Sequence, residues 1–375
     1  MMKRTDIVDR AYRVFTYQSV DRVPDIEFGY WPQTIRRWLK EGMPAELTAE
    51  EQGQMFCGAL DRFFGFDKEG EWVSVRGMIH PPFPEEIIER RENTVVVRDA
   101  SGVVSEQFTF DQDESSIPHF LEFPVKAPED WAELRERYLA DDPIRRMPAE
   151  DIERMRAANR DGRTVKFFCT GFYGQLRNWM GMENLSLAFY DEPEMIHAMV
   201  DCWAELCALQ IERLPEDIRI DQVDWWEDMA GRNGPLVSPA HFAEFIQPAY
   251  RRVMTAARKR GCVLSSVDSD GNPHALIKHW LAEGVNIMFP IEVGTWHASI
   301  APWREQYGRE LRGVGGMDKK VFAQDRTAVE AEVERLRPLV ELGGFIPCPD
   351  HRIPPDAEWD NVRYYCDRMH ATFNR

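Results

Sequence analysis

Asp268 and Asp270 are separated by one serine and followed by Gly271 and Asn272. In an extended segment successive side chains point to opposite sides, so both carboxylates aim the same way. Such a pair can bind one divalent ion or share a proton. The competing role is an N-cap and turn before a helix over residues 273–283, where Asp and Asn accept backbone hydrogen bonds. That role weighs more for Asp270 than for Asp268. Glu227 and Asp228 follow Trp225 and Trp226 at the end of an apolar run. Indole rings desolvate a neighbouring carboxylate, which raises its affinity for a proton or a metal ion. Asp350 and His351 sit between Pro347, Pro349, Pro354 and Pro355, which stiffen the loop. Histidine is the usual proton-transfer or metal-binding side chain near neutral pH, and a solvated surface histidine is the plain alternative.

Other polar residues also follow apolar runs. Gly315 and Gly316 allow close backbone approach to a ligand, and Asp318 and Lys319 come directly after. Lys319 would pair with a substrate carboxylate or stay solvated. Glu292 follows residues 286–291, while Tyr173 and Arg177 follow residues 165–169. For these, ligand binding and plain solvation on a barrel rim weigh equally.

The elements that must position these residues are strands and helices in alternation. Apolar runs at 165–169, 222–226, 262–267, 286–291, 311–314 and 344–347 predict strands, separated by amphipathic stretches at 184–214, 239–260, 273–283, 300–307 and 327–342. Further strands at 23–28 and 72–76 bring the count to eight. Helices are predicted at 5–18 with Thr5 as N-cap, at 31–40, at 48–64 ended by Gly65, and across 128–161 with breaks at Pro143 and Pro148. Asp99-Ala100-Ser101-Gly102 carries turn chemistry between two β-rich pieces, which predicts a hairpin. The expected fold class is α/β: a (β/α)8 TIM barrel with N-terminal helices and a β-hairpin excursion on its rim. The chain reads as one decorated domain over residues 1–375, with 72–161 as an insertion and helical excursion. Polar residues at so many strand ends favour a closed barrel over an open sheet, and no strand leads into a G-x-G-x-x-G or Walker sequence.

Of 375 residues 43% are hydrophobic, with 12 Trp and 21 Phe, enough for a large core. A net charge of -18 excludes nucleic acid as a partner, because phosphate backbones need a basic surface. No segment suggests a signal peptide or a membrane span, so the expected location is the cytoplasm. The seven cysteines contain no Cys-x-x-Cys pair, which argues for reduced thiols rather than a disulfide framework or zinc knuckle.

Several of these segments together resemble the uroporphyrinogen decarboxylase-like superfamily, whose members include corrinoid-dependent methyltransferases. The resemblance is carried by Asp21-Arg22-Val23-Pro24, Gly234-Pro235-Leu236-Val237-Ser238-Pro239, Asp268-Ser269-Asp270-Gly271, Gly315-Gly316-Met317-Asp318-Lys319 and Gly343-Gly344-Phe345-Ile346-Pro347 through Asp350-His351. It implies a TIM barrel and an enzyme, either a methyltransferase or a decarboxylase. The arginine-rich motif by which true decarboxylases hold porphyrin carboxylates is not reproduced over residues 27–37. Thiol-methylating relatives bind zinc through a His-x-Cys-Gly motif and a later Cys; the matching positions here are Asp268, Asp270 and His351.

That substitution implies harder ligands, suited to zinc or to manganese, iron or magnesium. The favoured expectation is a methyltransferase that moves a methyl group between a small substrate and a corrinoid on a partner protein, since the chain has no Asp-x-His-x-x-Gly cobalamin motif. Asp268, Asp270 and His351, with Glu227, would hold the metal or serve with Asp228 as acid and base. Tyr173, Arg177, Trp226, Glu292, Asp318, Lys319 and Asp350 would bind the substrate. The alternatives are a metal-independent carboxy-lyase and a non-catalytic ligand-binding barrel. The oligomeric state stays open, with a homodimer as one option.

Overall fold

Seven parallel strands form the central sheet of the computed structural model, which describes residues 7–48, 51–52, 56–68, 70–75, 79, 81–109, 118–139 and 147–373. They are β1 (Glu71–Ser74), β2 (Val165–Thr170), β3 (Gln222–Trp226), β4 (Leu264–Asp268), β5 (Ile287–Ile291), β6 (Arg312–Met317) and β7 (Phe345–Pro349). Each pairs in parallel with the next in chain order. Parallel neighbours need a crossover, and helices such as Pro193–Glu212, Gln247–Lys259 and Arg326–Glu341 supply it. The architecture is that of a (β/α)8 barrel.

Among the described residues the eighth strand expected at 23–28 does not form. Pro24 has no N–H to give a ladder, and the Asp25 N–H is spent on the Asp67 carboxylate at 2.9 Å. The segment still spans the seam. Asp67 N–H donates to the Asp25 carbonyl on the β1 side, and Tyr30 forms an isolated parallel bridge with Ile353 beyond β7.

The helix expected over 5–18 covers only Arg10–Phe15, and Thr5 lies outside the described residues. It plugs the barrel floor. Ile7, Ala11, Tyr12 and Phe15 pack against Leu264, Ile287, Val314 and Ile346, the inward side chains of four strands. Burying a side chain of the size of Ile7 or Phe15 contributes roughly 1.5–3 kcal/mol. The helix expected over 48–64 is also shorter, starting at Gly58 after Cys57 takes an extended conformation; Ala45–Thr48 is a 3-10 turn. Gly65 ends it in the left-handed region, as its position predicts.

The predicted hairpin is Thr94–Arg98 with Val104–Phe108, and it is the middle of a four-stranded antiparallel sheet completed by Glu86–Arg90 and His119–Glu122. This sheet enters the chain after the C-terminal end of β1, so it belongs to the same end of the barrel as the strand-end acids. Helices Pro128–Leu139 and Ala149–Arg160 lead back to β2; the break expected at Pro143 lies outside the described residues. No helix among the described residues is long and apolar enough to cross a membrane.

Candidate active site

Inside the barrel, alternation along β3 and β4 turns Gln222, Asp224 and Trp226 to the same side as Ser266 and Asp268. The strands are in register there, with Ser266 opposite Asp224 and Asp268 opposite Trp226. Asp224 is buried and accepts hydrogen bonds from the Gln222 amide at 2.6 Å and from the Ser266 hydroxyl. A polar layer therefore underlies the mouth.

Continuing the alternation past β3 brings Asp228, not Glu227, to the mouth. Asp228, Asp268 and Asp270 present carboxylate oxygens within 4.8 Å of one another, each residue half-buried. Asp228 has φ 42°, a left-handed conformation that costs on the order of 1 kcal/mol for a non-glycine residue. Arg177 holds this turn. Its guanidinium donates to the Asp228 carbonyl at 2.6 Å, lies 3.9 Å from the carboxylate and covers the Trp226 ring at 5.0 Å.

Like charges and burial together raise proton affinity in the cluster. Burial is the largest influence holding Asp268 well above the usual carboxylate range, followed by the charges of Asp228 and Asp270. Asp228 is raised for the same reasons, with Arg177 opposing. The cluster is short of positive charge, and either protons or a divalent cation can supply it. Its hard oxygen donors, with His351 at the edge, fit zinc, manganese or magnesium.

His351 reaches the cluster from β7. Its Nε2 lies 3.5 Å from Asp270 Oδ2, and its ring stacks beside Trp31 at 6.1 Å and meets the Phe28 edge at 5.0 Å. Asp268 and Asp270 thus cluster with Asp228, and His351 adjoins that cluster through Asp270.

Glu227 does not join them, contrary to its expected place among the ligands. It points outward, fully buried, where the N–H groups of Phe172 and Gly174 each donate at 2.9 Å and the Tyr250 hydroxyl donates as well. A carboxylate at the first turn of helix Phe172–Met180 satisfies donors that the helix leaves open. Burial pushes its carboxyl up to about 7, while these hydrogen bonds pull it down. Gly171 makes room for it: a Cβ there would stand 2.1 Å from the Glu227 carboxyl carbon.

The remaining expected residues divide into two groups. Glu292 is buried and accepts the Gly271 N–H at 2.6 Å, fixing the loop that carries Asp270. Asp350 is buried and accepts from the N–H groups of Gly294 and Lys319, while Asp318 caps its own turn through Lys320 N–H. All three accept backbone N–H groups of the loops around them. Lys319 carries a half-buried ammonium whose charge acts on Glu292 and Asp350. Tyr173 is buried and its hydroxyl has no hydrogen-bond partner among the described residues, and Trp226 and Arg177 form one wall of the mouth. Two residues that strand ends do not reveal also stand here: Trp31, and Arg352, whose guanidinium covers the Trp31 ring at 4.7 Å.

A separate cavity of about 350 Å³ opens at the floor, lined by Arg10, Asp21, Asp67, Thr164 and Lys166 among others. Arg10 at its wall pairs with Asp21 at 2.7 Å and with Asp67 at 2.9 Å, and the neighbouring Arg22 also pairs with Asp67 at 2.7 Å. Chemistry in barrels belongs to the opposite end.

A family model for uroporphyrinogen decarboxylase (URO-D) matches residues 98–372, most of the chain and all of the strand-end residues above. The chain belongs to the uroporphyrinogen decarboxylase family. No curated protein sequence matches it. Among solved structures, a methyltransferase from Methanosarcina mazei aligns over 96% of this chain and 97% of its own, with a TM-score of 0.60 and 14% identity. At that identity the likeness shows the fold. A putative vitamin-B12 independent methionine synthase from Listeria monocytogenes covers 59% of this chain and 68% of its own at 14% identity, with a TM-score of 0.35. The family's fold and the mouth of the barrel agree on where to look for activity.

Proposed function

We propose that this chain is a methyltransferase that takes a methyl group from an oxygen of a small substrate at the barrel mouth and passes it to a corrinoid held by a separate protein. The observation that carries the reading is the cluster of Asp228, Asp268 and Asp270 at the C-terminal end of the strands, with His351 beside Asp270. The fold it shares with a methyltransferase supports it. Asp228, Asp268 and Asp270 would hold the divalent ion, which would supply Lewis acidity to the substrate oxygen. The corrinoid would supply the methyl acceptor. Trp226 and Trp31 shape the walls, and Arg177 fixes Asp228. The methyl group would leave as the carbon–oxygen bond breaks, the bonding pair staying on the oxygen, and His351 would give that oxygen a proton.

The raised proton affinity of Asp268 favours a second reading, a metal-independent carboxy-lyase in which Asp268 protonates the carbon that loses carbon dioxide. One assay separates them. Purified protein is incubated with cob(I)alamin and a panel of methoxy compounds, with and without chelator. Methylation that chelator abolishes supports the first reading; full activity without bound metal sinks it, and carbon dioxide release insensitive to chelator supports the second.

A further inference from the structure

Arg352 is the loose end of the mouth. Its Nε is buried without a hydrogen-bond partner, and the guanidinium forms no ion pair or hydrogen bond among the described residues. Asp268 and Asp270 attract it through space without reaching ion-pair distance. Trp31 covers one face at 4.7 Å, so the in-plane N–H edge is what remains to be met. That edge is a fork of donors that matches the two oxygens of a carboxylate, and a half-buried donor left unmatched is costly.

We propose that Arg352 is the subsite for a carboxylate carried by the substrate, an inference that rests on reading this mouth as the place of methyl transfer. The group fits a monoanion. With three acids close by, one guanidinium offsets a single added negative charge, whereas a phosphate dianion would meet uncompensated repulsion. The substrate class is then a small O-methyl carboxylic acid, with its carboxylate on Arg352 and its methoxy oxygen toward the Asp cluster.

Calorimetric titration of the full chain with methoxyacetate and with methoxyacetamide tests this, because the two differ in charge and little in shape. The acid should bind at least roughly tenfold more tightly, the worth of one charged hydrogen-bonded contact. Arg352→Met should bring the two affinities together without lowering the unfolding temperature, and Arg352→Lys should keep part of the preference. If Arg352→Met does not fold, the reduced preference in Arg352→Lys decides. Equal binding of acid and amide, binding of neither, or a preference that survives the substitution overturns the proposal. A preserved, Arg352-dependent preference without methyl transfer would overturn the methyltransferase reading alone.

Discussion

His351 Nε2 lies 3.5 Å from Asp270 Oδ2, and the two residues stand on the loops that follow strands β7 and β4, which do not touch in the sheet. β5 and β6 stand between them, so the contact spans the mouth and holds only because the sheet curves into a barrel. An imidazole beside a carboxylate can orient it and relay a proton. We expect His351→Ala to lower the rate of methyl transfer about 100-fold, within the range of a lost acid–base group. A metal content equal to the wild type and an unchanged melting temperature should accompany the loss. If the metal is lost as well, His351 is a ligand rather than a proton carrier.

The metal itself gives a pH prediction. Asp268 holds its proton well above the usual carboxylate range, chiefly through burial and then through Asp228 and Asp270. A cation must displace that proton. Affinity for manganese should therefore rise as pH rises through the elevated value and fall on acidification, and Asp270→Asn should weaken binding at least about tenfold. Titration calorimetry at several pH values checks it; an affinity flat in pH would contradict the competition.

Glu227 gives an opposite kind of test, on stability rather than binding. Its carboxyl rises from 4.5 to about 7 on folding. The stability linked to it is fully present below about 4.5 and is lost as pH rises through about 7, on the order of 3 kcal/mol in all. Glu227→Gln has no such titration but presents amide hydrogens to existing donors, so it should be less stable than wild type at pH 5. The gap should shrink by pH 8. Urea unfolding of both proteins at the two pH values decides, and a gap that widens with pH would show that the ionised form is the favoured one.

What was legible in the sequence follows the same physics. Period-two alternation marks Asp268 and Asp270 as neighbours on one face, and the apolar runs of β2 to β7 are plain because parallel strands are buried on both sides. The same alternation from Asp224 through Trp226 selects Asp228 over Glu227. Treating the adjacent acids as one unit hid it. The missing strand at 23–28 also had a signal in Pro24, but the diversion of the Asp25 N–H to Asp67 is a tertiary event that no local pattern records. Trp31 and Arg352 meet only because β7 returns beside the N-terminal segment, and neither has a motif of its own.

Gly271 tests whether the loop that bears Asp270 must keep its present shape. It sits at φ 82°, and a Cβ there would stand 2.4 Å from the Ala230 carbonyl oxygen. Its N–H is also the donor to Glu292 at 2.6 Å. Gly271→Ala should destabilise the protein by roughly 1–3 kcal/mol, combining left-handed strain with backbone crowding. Metal affinity should fall with it, because Asp270 is displaced. A variant with full affinity would show that the loop relaxes without moving its carboxylate.

Asp228 separates function from stability most sharply. A residue kept at φ 42° against its own preference is retained either for its side chain or because the turn tolerates it. Glycine takes that conformation without the Cβ penalty, and removing one of three clustered carboxylates relieves like-charge repulsion on Asp268 and Asp270. Asp228→Gly should therefore match or exceed the wild type in thermal stability, provided Arg177 keeps its hold on the residue 228 carbonyl. Metal affinity and methyl transfer should both drop at least about tenfold, as expected for loss of a ligand. Asp228→Asn, which restores an oxygen donor but keeps the Cβ, should recover part of the affinity and only the part of the stability gain that comes from relieved repulsion. If both variants bind metal as the wild type does, the cluster does not use Asp228, and its strained backbone serves the turn alone.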